Sequence, residues 1–238
     1  MPARPSKHRS NPSWLRRHVT DPYVKAATQA GYRSRAAYKL IEIDQRDRLL
    51  RPGMTVVDLG AAPGSWTQVL RERLRDRHGA AAGRIVALDL LPFEPLPEVE
   101  FIGGDFRDAA VAAKLAEALA GEGATPGVDL VLSDMAPNLS GIAAVDAAAS
   151  SLLAELAVEF AAAHLKPQGA LLVKAFQGSG YTQLIELLKK TFVSVTPRKP
   201  AASRAESAEI YLLGRRLRSG ARATRAGGGA TAPAQGTN

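Results

Sequence analysis

The sequence predicts an α/β fold: a mostly parallel sheet with helices packed on both faces. Three observations carry this reading. Short, β-rich apolar runs alternate with longer stretches of helical periodicity through most of the chain, the signature of strands joined by crossover helices. The runs are apolar enough to be strands covered on both sides. The last two, FVSVTPR and AEIYLLG, follow each other with no helical pattern between them, so the sheet should finish in an antiparallel hairpin.

The elements follow in order. From Met1 to Lys39 the positive residues are Arg4, Lys7, Arg9, Arg16, Arg17, Lys25, Arg33, Arg35 and Lys39, against one acid, Asp21. Trp14, Tyr23, Tyr32 and Tyr38 are interleaved with them, a mixture that can pair phosphates and stack on exposed bases. Pro2, Pro5 and Pro12 make residues 1 to about 12 a solvated tail, whereas the segment from Trp14 onward reads as docked and RNA-facing. SRAAYKLIEIDQRDRLL, residues 34–50, places Ala37, Leu40, Ile41 and Asp44/Arg48 at helical spacings behind Ser34 as cap, with Arg51-Pro52-Gly53 as terminator. Strands are then expected at MTVVDLG, RIVALDL, VEFIGGD, VDLVLSD and ALLVKAF. Helices are expected around TQVLRERLRDR, AAVAAKLAEALA, SLLAELAVEFAAAHL and YTQLIELLKKTF. GEGATPG, residues 121–127, is a surface turn. Beyond Leu213 the chain turns to Gly, Ala and Arg with little to bury. The expected organisation is therefore a basic, partly disordered segment over residues 1–30, one domain over 31–214, and a disordered basic tail over 215–238.

Composition narrows the function. A net charge of +8 and a pI near 10.0 favour a polyanionic partner, with nucleic acid ahead of a membrane because no amphipathic basic anchor is evident. No charge-free run of membrane-spanning length occurs and the N-terminus lacks an apolar signal core, so a cytoplasmic protein without membrane association is expected. The chain contains no cysteine, which excludes disulfides and thiolate chemistry.

The stretch VVDLGAAPGSW runs from a strand into a glycine-flanked loop, and in doubly wound sheets ligands sit at the carboxyl ends of strands. The loop lacks the Gly-Lys-Ser/Thr of a phosphate-cradling Walker loop and the G-x-G-x-x-G spacing of a dinucleotide fingerprint. Carboxylates recur instead at strand ends: Asp58, Asp89, Asp105 and Asp134. Such a set repels phosphates and attracts ribose hydroxyls, an adenine amino group, an ammonium and a sulfonium, a combination presented by S-adenosylmethionine. Taken singly, each aspartate reads equally well as a helix cap. A metal site is the weaker alternative, since Cys is absent, His is scarce and no compact ligand motif exists. Gly60 and Gly64 would let backbone approach the cofactor, and Trp66, at the start of the next helix, reads either as a cofactor neighbour or as core. Lys174 closes an apolar strand and Glu209 lies within another. With Lys39 and Asp134 they could meet at the cofactor's methyl group if the helix carrying Lys39 folds over the mouth of the site.

GYRSRAAYKL, DLGAAPGSW, LDLLP, GDFRD, SDMAPNLSG, LVKAFQG and SRAESAEIY, in this order, resemble the FtsJ/RrmJ (RlmE) family of ribosomal RNA ribose 2′-O-methyltransferases over roughly residues 14–213. The resemblance implies a Rossmann-like, S-adenosylmethionine-dependent methyltransferase fold with a seven-stranded sheet and a terminal antiparallel strand. It implies S-adenosylmethionine as cofactor and, as acceptor, a uridine ribose in the A loop of 23S rRNA within the assembled large ribosomal subunit. It carries the cofactor positions to Gly64, Trp66, Asp89, Asp105 and Asp134, and a Lys-Asp-Lys-Glu catalytic set to Lys39, Asp134, Lys174 and Glu209, with no metal. A monomer is expected. Three positions depart from the common family pattern: Ser65 stands where many relatives have glycine, Ala175 where valine is usual, and Glu206 where an arginine is common, reversing a charge near Glu209. The reaction implied is attack of the 2′-oxygen on the methyl group, with Lys174 either accepting the proton as a neutral amine or orienting the oxygen as a cation. Methylation of tRNA or of an mRNA cap is a competing reading of the acceptor. A non-catalytic ribosome-assembly factor and, more remotely, a nicotinamide oxidoreductase are competing readings of the class.

Overall fold

The computed structural model describes residues 20–120, 127–138 and 140–221. The expected N-terminal tail with Trp14, the 121–127 turn apart from Gly127, and the end of the basic tail lie outside the described residues. Helix α1 (Pro22–Gln29) leads to α2 (Ala36–Asp47), β1 (Met54–Leu59), α3 (Ser65–Arg73), β2 (Gly83–Asp89), β3 (Val99–Gly103) and α4 (Ala109–Ala120). There follow β4 (Val128–Ser133), α5 (Ala143–His164), β5 (Leu165–Phe176), α6 (Tyr181–Thr191), β6 (Phe192–Arg198) and β7 (Glu209–Leu217). The strands form one seven-stranded sheet in the order β3-β2-β1-β4-β5-β7-β6. Strands β1 to β5 are parallel, and β7 is inserted antiparallel between β5 and β6. The sheet, its helices on both faces and its antiparallel end are those expected.

The pleat divides the core in two. Val57, Leu59, Val131, Leu171, Val173, Ile210 and Leu212 pack toward α4, α5 and α6. Their strand neighbours Val56, Leu130, Leu132, Leu172, Tyr211 and Leu213 pack toward α2 and α3. The alternation is the period-2 geometry of a strand acting on continuously apolar sequence.

Several boundaries differ from the sequence reading. Helix α2 ends at Asp47, short of Arg51-Pro52-Gly53, because Arg48 takes a left-handed conformation (φ 49°) and the Asp44 carboxylate accepts the Leu50 N–H at 2.8 Å. Ile43 rather than Ile41 is the fully buried isoleucine of that helix. Helix α5 begins eight residues before Ser151: the Asp146 carboxylate accepts the Ser140 N–H (2.7 Å), the Ser140 hydroxyl and the Gly141 N–H, fixing an alanine-rich first turn that apolar periodicity does not mark. Strand β5 starts at Leu165, with a register irregularity against β4 between Val128 and Leu130. Strand β7 runs to Leu217, past the expected domain end at 214, because Arg215 pairs with both Ala170 and Ser194.

Helix α2, which carries Lys39, is tied to the antiparallel end of the sheet. Asp47 receives two guanidinium bonds from Arg198 at 2.6 Å, and its carbonyl accepts one from Arg215 at 2.6 Å. Near the other end of the helix, Arg35 joins the Asp21 carboxylate and the Ala202 carbonyl.

Candidate active site

The carboxyl ends of β1, β2 and β4 open onto a cleft of about 460 Å³ bordered by Gly60, Asp89, Asp105, Phe106, Asp134 and Met135. The loop after β1 is shaped by its neighbours. Gly60 has φ +79°, and a Cβ there would lie 2.7 Å from the Met135 N and 2.8 Å from its Cα, so only glycine lets the two strand ends come this close. The Asp89 carboxylate accepts the Ala62 N–H from this loop and the Leu91 N–H from its own turn, each at 2.8 Å. These bonds fix the carboxylate at the cleft wall while leaving each oxygen with acceptor capacity. Asp105 forks onto Arg107, the main reason its carboxyl is held below the usual carboxylate range. Asp58, the last of the strand-end series, does not reach the cleft. It points to the α3 side, wholly buried, with Oδ2 accepting the Thr67 hydroxyl at 2.8 Å and Oδ1 without a partner. Burial chiefly, with smaller contributions from Asp134 and Asp89 against the Thr67 bond, pushes its carboxyl up to about 7.

Gly64 and Trp66 stand apart from the cleft lining. A Cβ on Gly64 (φ +100°) would meet the Arg33 guanidinium at 2.6 Å and the Phe93 ring at 3.1 Å, so this glycine makes room for Arg33, which lies over Phe93 and donates to the Pro63 carbonyl. The Trp66 indole is core: it is 3 % exposed, packs on Tyr211, and donates to the Ala36 carbonyl at 2.8 Å. Its backbone N–H, in the first turn of α3, belongs to the donors without an intrahelical partner. Ser65 meets Ser34 hydroxyl to hydroxyl at 2.7 Å, a bond between the entries of α2 and α3 that glycine could not make.

Lys39, Asp134, Lys174 and Glu209 come together beside the cleft. Lys39 Nζ lies 2.8 and 2.9 Å from the two Glu209 carboxylate oxygens and donates to the Tyr211 hydroxyl at 3.3 Å. Tyr211 donates to Asp134 Oδ1 at 2.7 Å. Lys174 Nζ donates to the Asp134 carbonyl at 2.6 Å and lies 3.1 Å from Asp134 Oδ1. The result is one connected row, Glu209–Lys39–Tyr211–Asp134–Lys174, whose four charged side chains are between 8 and 18 % exposed. The α2 placement expected from sequence thus brings Lys39 to the other three.

Tyr211 is absent from the sequence-derived set, yet it joins the two halves of the row. Two residues beyond Glu209 on a strand, it must share that residue's face, and the structure pairs it directly with Lys174 across β5 and β7. Burial first, then the charges of Asp134 and Glu209, raise its hydroxyl well above the ordinary phenol range, so it acts here as a neutral donor. Ser203 adds a bond to Glu209 at 2.7 Å.

A second recess, of about 230 Å³, opens on the other side of Lys39 and Glu209 and is bordered by Ser34, Arg35 and Arg204. Arg33 and Arg35, expected to reach outward, are both engaged within the chain, Arg33 by Pro63 and Phe93 and Arg35 by Asp21 and Ala202. No cluster of metal-ligating side chains occurs among the described residues, and none of the described helices is long and apolar enough to cross a membrane.

The chain is similar to several known proteins. The chain is 56% identical over 217 residues to the ribosomal RNA large subunit methyltransferase E of Ralstonia nicotianae, spanning 90% of this chain and 98% of the relative. It is equally similar over 220 residues to the protein of the same name from Burkholderia mallei. A solved Plasmodium falciparum structure, described as a ribosomal RNA methyltransferase, is 34% identical with a TM-score of 0.66, covering 78% of this chain and 98% of that one. Aeropyrum pernix fibrillarin, solved with natively bound S-adenosyl-L-methionine, shares the fold at 17% identity and a TM-score of 0.50, over 77% of this chain and 75% of its own. The FtsJ-like methyltransferase family model matches residues 32–217, from the turn before α2 to the last residue of β7, and the chain belongs to that family.

Proposed function

We propose that this protein methylates the ribose 2′-hydroxyl of a uridine in the A loop of 23S rRNA, acting on the assembled large ribosomal subunit with S-adenosylmethionine as donor. The observation that carries the proposal is the hydrogen-bonded row from Glu209 to Lys174 standing between the carboxylate-walled cleft and the recess beside Lys39. Two ligand spaces with a polar row between them suit a transfer reaction. The names of the bacterial relatives support large-subunit rRNA as the acceptor.

The cleft suits the donor chemically. Asp89, Asp105 and Asp134 offer acceptors for ribose hydroxyls, an adenine amino group and an ammonium; with Asp105 paired to Arg107 and Asp134 to Lys174, the negative charge that favours a sulfonium rests mainly on Asp89. Gly64 and the backbone of Trp66 contribute through the loop and the first turn of α3 rather than through side chains. Bound S-adenosylmethionine supplies a methyl group on positively charged sulfur.

Lys39, Asp134, Lys174 and Glu209 then act on the acceptor. The Lys174 amine already spends two of its directions on Asp134, one on the carbonyl and one on the carboxylate, which leaves one direction for the 2′-oxygen. As the oxygen gains its methyl group its proton leaves, either to Lys174 Nζ acting as base or to water while Lys174 orients the oxygen. Asp134 fixes the amine, and Tyr211 and Glu209 fix Lys39 toward the recess, where its charge holds the ribose or an adjacent phosphate. The 2′-hydroxyl requirement makes the acceptor RNA rather than DNA.

The test is transfer of tritiated methyl from S-adenosylmethionine to large subunits lacking the modification, beside free rRNA and tRNA. Label in 23S rRNA of the subunit is expected. Label confined to tRNA would reassign the acceptor, and tight subunit binding without label on any RNA would make the protein an assembly factor.

A further inference from the structure

Phe176 is a large apolar side chain that β5 does not bury. Along Ala170–Phe176 the strand alternates between its two core faces and buries Ala170, Leu171, Leu172, Val173 and Ala175, whereas Phe176 is 37 % exposed. No aromatic ring and no cation packs on it among the described residues. Phe176 borders a small recess with Ser151, Tyr181 and Leu184, yet more than a third of it stays in water, whereas Ala170–Val173 and Ala175 are buried.

Its place in the sheet is specific. Residues two apart on a strand share a face, so Phe176 lies on the face of Lys174, about 6.5 Å further along the strand. Across the ladder Phe176 pairs with Glu209, as Lys174 pairs with Tyr211. Three of these four paired positions are in the hydrogen-bonded row. The fourth presents a phenyl ring one step beyond Lys174 toward solvent. That offset matches the span between a ribose 2′-oxygen and the body of its own base.

We propose that Phe176 is the platform on which the base of the acceptor nucleotide stacks, setting the ribose so that its 2′-oxygen meets Lys174. This rests on the RNA-ribose reading of the site given above. An unstacked nucleotide presented from a loop needs a replacement for its lost stacking, and an aromatic face supplies it. The phenyl ring has no hydrogen-bonding group, so it positions any base and does not select uridine.

The experiment compares Phe176→Ala, Phe176→Leu and Phe176→Trp with the wild-type protein in methyl transfer to large subunits, measuring kcat and KM for the subunit. The cofactor-induced rise in melting temperature serves as a folding control. Loss of one base–aromatic stack is expected to lower kcat/KM roughly 5- to 150-fold in the alanine variant, with the cofactor response intact. Leucine, apolar and of similar bulk, should be nearly as impaired as alanine, and tryptophan should transfer at close to the wild-type rate. Wild-type transfer by the leucine variant would overturn stacking, as would wild-type transfer by the alanine variant. Absence of label from RNA with the wild-type protein would remove the ribose-acceptor reading, and this one with it; a labelled wild type with an indifferent Phe176 would remove this one alone.

Discussion

Tyr211 shows how much of the site depends on one hydroxyl. It is the link between the Lys39–Glu209 pair and the Asp134–Lys174 pair, and its burial leaves no water to replace it. Tyr211→Phe keeps the ring against Trp66 and removes the link, so single-turnover methyl transfer should fall roughly 10- to 100-fold, while stability should drop by no more than the roughly 1–3 kcal/mol of a hydrogen bond to a charged partner. A fall in stability equal to that of a core deletion would show the hydroxyl to be structural. Asp58 makes a prediction about pH. Its folded carboxyl titrates near 7, above the ordinary carboxylate value, so the folded state holds a proton that the unfolded chain gives up earlier. The stability this proton confers is complete below about pH 4 and is lost as pH rises to about 7, by up to roughly tenfold in the unfolding constant per pH unit. Asp58→Asn should flatten that decline in denaturant titrations run across this window; an unchanged slope would place the titration elsewhere. At this scale the grouping of Lys39, Asp134, Lys174 and Glu209 was legible because charged side chains interrupt apolar strands or accompany a specific motif. Tyr211 was not, because a tyrosine in an apolar strand reads as core until the register with Lys174 is known. The side chain of Trp66 could be read either way, and burial against Tyr211 shows it in the core.

At the scale of elements, the site depends on two strand ends brought close and on the position of α2. Gly60→Ala would put a Cβ within van der Waals distance of the Met135 backbone in a left-handed conformation. A loss of at least about 2 kcal/mol of stability is expected from conformation and crowding together, along with the cofactor-induced rise in melting temperature. Retention of both would mean that the loop after β1 can move away from Met135. Helix α2 is held by Asp47, whose carboxyl the Arg198 bonds keep below the ordinary range against the opposing effect of burial. Asp47→Ala leaves a mostly covered guanidinium without its partner and should cost about 2–4 kcal/mol. Methyl transfer should fall as well, because Lys39 rides on this helix. Transfer at the wild-type rate in a destabilised variant would show that Glu209 alone keeps Lys39 in place. Strands were legible here because continuous apolar runs have few other uses. The start of α5 and the end of α2 were not, since one is set by the Asp146 carboxylate folding back on Ser140 and the other by a left-handed arginine, and neither leaves an apolar period.

For the whole molecule, the net charge of +8 coexists with a cleft walled by Asp89, Asp105 and Asp134, so on the proposed reading RNA and cofactor should respond differently to salt. Binding to large subunits should weaken steeply with salt, by about a thousandfold or more between 50 and 200 mM if six or more phosphates are neutralised. Cofactor binding should change far less, and equal salt sensitivity would contradict the division. Arg33 and Arg35 are occupied within the chain, so the phosphate contacts fall to other basic residues or require those two to exchange partners. The central claim is that the Lys174 amine is required for methyl transfer to an RNA ribose. It is tested most directly by mapping tritiated methyl on 23S rRNA after incubation of unmodified large subunits with wild type and with Lys174→Ala, each first shown to gain melting temperature from S-adenosylmethionine. Label on the 2′-oxygen of one uridine with the wild type, and none with Lys174→Ala, is the predicted result. Label at that oxygen from a variant without the amine, at an undiminished rate, would contradict it.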